Sequence, residues 1–134
     1  MVSPVGSNVL AAHKTIAVVE DDLEILGCLD LLLLSCGYHS KLFASAEEFL
    51  SAAPTLGAAC LIVDIQLRKS SGLELVRALS AQGFAPPVIF ITGSRNELHR
   101  RQALELGGAA FFLKPFCPER LIEVIAKAVG SKLN

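Results

Sequence analysis

The sequence lacks the hydrophobic segments that membrane-spanning and exported proteins carry. Its apolar stretches, such as residues 31–34 and 88–91, fall far short of the roughly 20 residues that a spanning helix needs. Residues 1–13 also lack the basic start, apolar core and small-residue cleavage site of a signal peptide. We therefore expect a cytoplasmic protein that neither spans nor contacts a membrane.

The sequence also lacks an excess of basic residues and any closely spaced pair of cysteines. Its 12 Lys and Arg residues against 13 Asp and Glu residues leave a net charge of -1, so we expect no direct nucleic-acid binding by this chain. The absence of a C-x-x-C pair argues against a zinc site or a disulfide framework. Buried, reduced thiols are expected at all four cysteines, which are Cys28, Cys36, Cys60 and Cys117.

The chain has the length and composition of one globular domain. Its 134 residues are 52% hydrophobic and 19% charged, which is enough apolar material for a sizeable core. We expect a single domain over residues 14–130. A loose arm at residues 1–13 would precede it, and a short tail at residues 131–134 would follow it.

Five short apolar segments alternate with five predicted helices. All-apolar strands separated by helices predict a parallel sheet with both faces covered. The fold class is therefore α/β, a doubly wound five-stranded parallel sheet of the flavodoxin-like type with strand order 2-1-3-4-5. The predicted strands are 15–19, 38–43, 59–63, 88–91 and 109–113, and the predicted helices are 23–36, 45–54, 71–82, 95–106 and 118–129. Helical spacing predicts core positions at Leu23, Ile25, Leu26, Leu29, Leu32 and Leu33.

Polar side chains follow four of the predicted strands. Ligands of such sheets bind at the carboxyl ends of the strands, and neighbouring strands lie about 4.8 Å apart, so Asp21 and Asp64 should converge. A hard cation such as Mg²⁺ would relieve their repulsion and leave positions open for phosphate oxygens. Lys114 would add a point charge for the same anion, and Thr92 a hydroxyl donor. Each position alone reads as an ordinary loop residue, but their conjunction favours a cation site beside an anion site.

These residues resemble the receiver domains of two-component response regulators, most closely the FixJ-like, LuxR-type transcription-factor receivers. The resemblance covers residues 16–129. It depends on the acids after Val18-Val19, on Asp64 after Leu61-Ile62-Val63, and on Gly72. It also depends on residues 91–93 and on the segment 107–116, which reads GGAAFFLKPF.

The resemblance implies a role for each residue of the site. Asp64 would accept a phosphoryl group from a sensor histidine kinase, so the protein would be a signalling phosphoacceptor rather than an enzyme. Mg²⁺, or Mn²⁺ as a substitute, would be bound by Asp21, Asp64 and the backbone carbonyl of Gln66, with Glu20 assisting through water. Asp22 is expected first as a favourable charge at a helix N-terminus.

The resemblance also implies a switch. Thr92 and Lys114 would bind the transferred phosphoryl group, Gly93 would leave its site open, and Phe111 would be an aromatic switch residue. The phosphoryl group would shift the surface formed by the fourth helix, fifth strand and fifth helix, through which a homodimer or an output partner would bind.

One departure from the family pattern stands out, in the loop after Asp64. Many relatives have a proline where this chain has Arg68, which leaves the rigidity and the contacts of that loop open. Gln66 and Ser94 occupy positions that influence the lifetime of the phosphoryl group. The basic stretch formed by Arg95, His99, Arg100 and Arg101 is either a partner-binding patch or one solvated helix face.

Two other function classes compete with the receiver. A Mg²⁺-dependent phosphatase with an aspartyl nucleophile would need a second acid two residues after the nucleophile, where this chain has Gln66. A flavodoxin-like cofactor binder is disfavoured because acids, rather than a Ser/Thr/Gly-rich loop, follow the first strand. Only four residues follow Gly130, so a DNA-binding output domain is not expected in this chain, which would be a stand-alone receiver or part of a longer regulator.

Overall fold

A computed structural model describes residues 14–130 as five strands that alternate with five helices. The predicted arm at 1–13 and tail at 131–134 lie outside the described residues. The strands are β1 (Thr15–Val19), β2 (His39–Phe43), β3 (Cys60–Asp64), β4 (Val88–Thr92) and β5 (Ala110–Leu113). The helices are α1 (Leu23–Ser35), α2 (Ala46–Leu56), α3 (Gly72–Ala81), α4 (Glu97–Glu105) and α5 (Pro118–Ala128).

The strands form one parallel sheet in the order β2-β1-β3-β4-β5, which confirms the predicted fold class and strand order. Val19 of β1 lies opposite Val63 of β3, and Thr92 of β4 lies opposite Leu113 of β5. The chain therefore leaves all four of these strands at the same edge of the sheet. We call this edge the carboxyl edge.

The core has two layers because successive side chains of a strand point to opposite faces of the sheet. On one face, Ala17, Leu61 and Phe90 pack with residues of α2, α3 and α4. On the other face, Ile16, Ile62 and Ile89 pack with residues of α1 and α5. The three central strands are buried on both faces, as their unbroken apolar runs predict.

The observed helix ends differ from the predicted ends by at most two residues. Two differences have a clear physical reason. The helix expected to end near Pro54 continues to Leu56 and ends at Gly57, whose φ of 64° is the left-handed conformation that closes helices. Pro54 lies in the last turn, where one missing N–H does not prevent the helix from continuing. Leu23, predicted in the core, is 73% exposed because it opens α1 on the side away from the sheet.

The cysteines are less buried than predicted. Only Cys60, in the central strand β3, is buried, whereas Cys28, Cys36 and Cys117 are exposed. The three exposed thiols lie on or beside helices, where the solvent-facing side accepts almost any residue. No helix in the described part of the chain has both the length and the apolar content to cross a membrane.

Candidate functional site

Three acids meet at the carboxyl edge. Because Val19 and Val63 are neighbours in the sheet, the residues that follow them bring Glu20, Asp21 and Asp64 together. One carboxylate oxygen from each acid lies within 4.8 Å of the other two. The predicted convergence of Asp21 and Asp64 is therefore confirmed. Glu20 is fully buried and Asp64 is 4% exposed.

Lys114 lies among these acids. Its Nζ donates hydrogen bonds to Oε1 of Glu20 at 2.7 Å and to Oδ2 of Asp64 at 2.8 Å. Burial by itself lowers the pKa of the Lys114 ammonium, but its hydrogen bonds to Asp64 and Glu20 and the charges of both carboxylates raise that pKa on balance above its ordinary value. Lys114 is therefore held as a cation beside the carboxylate of Asp64.

One lysine does not balance three carboxylates. Burial raises the pKa of the Glu20 carboxyl well above its ordinary value, and hydrogen bonds from Lys114 and from the backbone N–H of Asp22 offset only part of that rise. The charge of Asp64 raises the same pKa further. A divalent cation would relieve this repulsion, and three oxygen ligands with space for water suit Mg²⁺. The residues present therefore fit the predicted magnesium site.

The loop after β3 turns tightly around Asp64. The backbone N–H of Gln66 donates to Oδ1 of Asp64 at 2.9 Å, and the N–H of Gly72 donates to the carbonyl of Ile65 at 2.9 Å. A Cβ added to Gly72 would lie 2.3 Å from the carbonyl oxygen of Asp64, so this position requires glycine. The presence of glycine at position 72 thus has a steric explanation.

The two acids after Glu20 have different partners. Oδ2 of Asp21 accepts a hydrogen bond from the backbone N–H of Arg68 at 2.6 Å. Oδ1 of Asp22 accepts from the backbone N–H groups of Glu24 and Ile25, at 3.0 Å and 3.3 Å. Asp22 is therefore the N-cap of α1, in agreement with its expected place at a helix N-terminus, and it is not a member of the three-acid cluster.

The predicted phosphoryl-binding residues lie at the ends of β4 and β5. Thr92 is fully buried, and its Oγ1 accepts a hydrogen bond from the backbone N–H of Ser94 at 3.1 Å. The backbone N–H of Lys114 donates to the carbonyl of Thr92 at 2.7 Å, which holds these two residues side by side. A Cβ added to Gly93 would meet no described atom within 4 Å, so the space there is open. Phe111 is half-buried and packs against the core beside α4.

The basic stretch, which begins just before α4 and continues into it, is not uniformly exposed. Arg95, Arg100 and Arg101 are exposed, and Arg100 lies 3.6 Å from the carboxylate of Glu97. His99 is half-buried, and its Nδ1 is buried without a hydrogen-bond partner among the described residues. The three arginines are thus exposed, as either interpretation of the stretch requires, whereas His99 points inward.

Two contacts of the site were not predicted from the sequence. The bond between Lys114 and Glu20 joins the residues after β5 and β1, and their opposite charges were its only signal. The bond from Arg68 to Asp21 uses a backbone N–H, which every residue except proline has. Its only sequence signal was that residue 68 is not proline.

Comparison with known protein families matches residues 16–126 to the family described as the response regulator receiver domain. The chain belongs to this family. This receiver domain is 37% identical over 117 residues to the response regulator protein TmoT of Ectopseudomonas mendocina, covering 87% of this chain and 53% of TmoT. It is 33% identical over 114 residues to the transcriptional regulatory protein FixJ of Bradyrhizobium diazoefficiens, covering 85% of this chain and 56% of FixJ.

Solved structures agree with this assignment. The crystal structure of FixJ-N matches with a TM-score of 0.82 at 30% identity, covering 91% of this chain and 98% of FixJ-N. Full-length FixJ from B. japonicum matches with a TM-score of 0.81 at 32% identity, over 87% of this chain and 58% of that protein. The receiver domain spans about half the length of the curated relatives it matches. The comparisons do not support the phosphatase alternative.

Proposed function

We propose that Asp64 is the phosphoacceptor of this receiver domain and that it takes a phosphoryl group from a sensor histidine kinase. One observation carries the proposal: the carboxylate of Asp64 lies in the three-acid cluster and is also hydrogen-bonded to Lys114 at 2.8 Å. A phosphoryl group arriving at Asp64 would therefore find positive charge already in place for its oxygens.

Different residues of the site would bind the cation, attack the phosphoryl group and position the attacking carboxylate. Asp21, Asp64 and the backbone carbonyl of Gln66 would hold Mg²⁺ or Mn²⁺, with Glu20 assisting through water. The bound cation supplies positive charge for the phosphoryl oxygens. A carboxylate oxygen of Asp64 forms a bond to phosphorus while the bond from phosphorus to the donor breaks. The N–H of Gln66, bonded to Oδ1, keeps the carboxylate in position during the attack.

The new acyl phosphate then acts as the signal. Its oxygens would attract the hydroxyl of Thr92 and the ammonium of Lys114, and Gly93 leaves room for this movement. Phe111 is half-buried beside α4 and is proposed to move with Thr92. The surface formed by α4, β5 and α5 would then change its affinity for a second copy or an output partner. The absence of direct nucleic-acid binding by this chain and a cytoplasmic location stay predictions.

Intact-mass measurement tests the proposal. Incubation with Mg²⁺ and phosphoramidate, a small phosphodonor, should add the mass of one phosphoryl group to the wild type. Asp64→Asn should remain unmodified because its amide is a poor nucleophile. Asp22→Asn is the matched control, since it neutralises a nearby acid outside the three-acid cluster and should still be modified. A wild type that stays unmodified in Mg²⁺ would contradict the proposal.

A further inference from the structure

Arg68 contacts the predicted magnesium site in two ways. Its backbone N–H donates to Oδ2 of Asp21 at 2.6 Å, and its Nε lies 3.9 Å from the same oxygen. The Arg68 side chain is 85% exposed, whereas that of Asp21 is 19% exposed. A proline at this position could make neither contact, because it has no N–H and no charge.

The loop, rather than the arginine side chain, sets the direction of this N–H. The N–H of Leu67 donates to the carbonyl of Ser70 at 3.1 Å, which makes residues 67–70 a tight turn. Gln66 and Ser71 pair at the base of this turn. Arg68 is the second residue of the turn, so its N–H stays directed at Asp21 when only the side chain is changed. The two contacts of Arg68 can therefore be removed separately.

We propose that Arg68 sets the Mg²⁺ affinity of the site through two opposed effects. The backbone N–H holds Oδ2 of Asp21 and so leaves Oδ1 oriented for the cation, as outer hydrogen bonds do for metal ligands in general. The guanidinium places a positive charge beside the same carboxylate and opposes the entry of a second cation. This inference rests on the magnesium site of the proposed function and adds to it a residue that positions a ligand and tunes its charge.

Isothermal titration with Mg²⁺ separates the two effects. Arg68→Ala keeps the N–H and loses the charge, so its Kd should fall about threefold at low ionic strength and return to the wild-type value at about 0.5 M salt. Arg68→Pro loses both contacts, and its Kd should be about tenfold higher than that of Arg68→Ala. Lys69→Ala is the matched control, because it removes the same charge from the next, exposed residue. Its effect should be smaller than that of Arg68→Ala.

The results distinguish this inference from the proposed function. If the wild type does not bind Mg²⁺, the magnesium site of the proposed function is wrong. If the wild type binds Mg²⁺ but Arg68→Ala binds no tighter at low salt, the guanidinium has no such effect. If Arg68→Pro binds as tightly as Arg68→Ala, the N–H does not position Asp21.

Amide exchange gives a second measurement in case Arg68→Pro fails to fold. In Arg68→Ala, the amide proton of residue 68 should exchange slowly with solvent, because Asp21 still accepts its hydrogen bond. In the double variant that also carries Asp21→Ala, the same proton should exchange faster. Equal exchange rates in the two variants would overturn the positioning role of the N–H.

Discussion

Gly72 is a residue whose missing side chain makes the loop around Asp64 possible. A Cβ there would lie 2.3 Å from a backbone oxygen that cannot move without displacing the end of β3. We predict that Gly72→Ala lowers the free energy of unfolding by about 2–3 kcal/mol, as overpacking in a buried region does. Urea unfolding measures this change.

Gly27 offers the opposite test at the same scale. It lies inside α1, and a Cβ there would meet no described atom within 4 Å. We predict that Gly27→Ala raises the free energy of unfolding by about 0.5–1 kcal/mol, because alanine favours helix and restricts the unfolded chain. If both alanine variants shift stability in the same direction, steric space does not decide their effects.

Cys60 is the buried cysteine of the chain. Burial raises the pKa of Cys60 from 9.0 to about 12. The stability that comes from keeping this thiol neutral is complete below pH 9, and it declines as the pH rises from about 9 towards 12. We predict that an aromatic disulfide reagent at pH 8 labels three thiols rapidly and Cys60 only after unfolding. Cys60→Val should lack this part of the alkaline decline in stability, and rapid labelling of four native thiols would contradict the burial.

At the scale of elements, four of the five helices in the described part of the chain have a side chain that caps their first turn. Asp22 caps α1 with two hydrogen bonds, whereas Ser45 and Ser71 cap α2 and α3 with one each. We predict that Asp22→Ala lowers the free energy of unfolding by about 1 kcal/mol. Asp22→Asn keeps the acceptor oxygen, so it should retain most of the stability that the cap contributes. Thermal unfolding measures both.

The same variants test the separation of Asp22 from the three-acid cluster. Because its carboxylate binds the N–H groups of α1, neither substitution should change Mg²⁺ affinity as much as Asp21→Asn does. An equal loss of Mg²⁺ affinity in Asp22→Asn would place this acid in the cation site.

Strand and helix order could be predicted because burial on both faces leaves a plain sequence pattern. The apolar run at Leu61, Ile62 and Val63 is typical of a central strand, and all three residues lie in β3. Helix ends were less predictable, since closure of α2 depends on the backbone conformation of Gly57 rather than on the composition around Pro54. Leu23 shows the same limit, because helical spacing alone does not say where the buried stripe of a helix begins.

The convergence of the acids could be predicted because neighbouring parallel strands have their carboxyl ends at the same edge of the sheet. Asp21 and Asp64 followed from the strand order alone. The N–H of Arg68 could not be predicted, since its direction depends on a turn whose geometry the side chains do not encode. The hydrogen bond from Lys114 to Glu20 depends on the distance between β5 and β1, which only the assembled sheet defines.

At the scale of the whole molecule, Lys114 links the ends of three strands through its hydrogen bonds. It follows β5, yet its Nζ reaches past the end of β4 to Asp64, which ends β3, and to Glu20, which follows β1. We predict that Lys114→Met lowers the free energy of unfolding by about 3 kcal/mol in Mg²⁺-free buffer, because the two carboxylates are left without their partner. Urea unfolding at pH 7 with and without Mg²⁺ measures the effect.

Mg²⁺ should recover part of this loss, since a cation that binds only the folded state stabilises it by mass action. Lys69→Met is the control: this exposed lysine carries the same charge, and its loss should change stability by less than about 0.5 kcal/mol. Equal effects of the two methionine variants would show that Lys114 contributes only general surface charge.

The apolar character of both faces of β3 gives its terminal acid a role in alignment. Because each face packs against a hydrophobic layer, sliding β3 by one residue would exchange one apolar face for another with little loss of burial. The same slide would move Asp64 by about 3.3 Å relative to Glu20 and Lys114. A carboxylate buried away from its partner is strongly disfavoured. The charges at the carboxyl edge therefore favour the native register of β3 over a shifted register that buries a similar apolar surface.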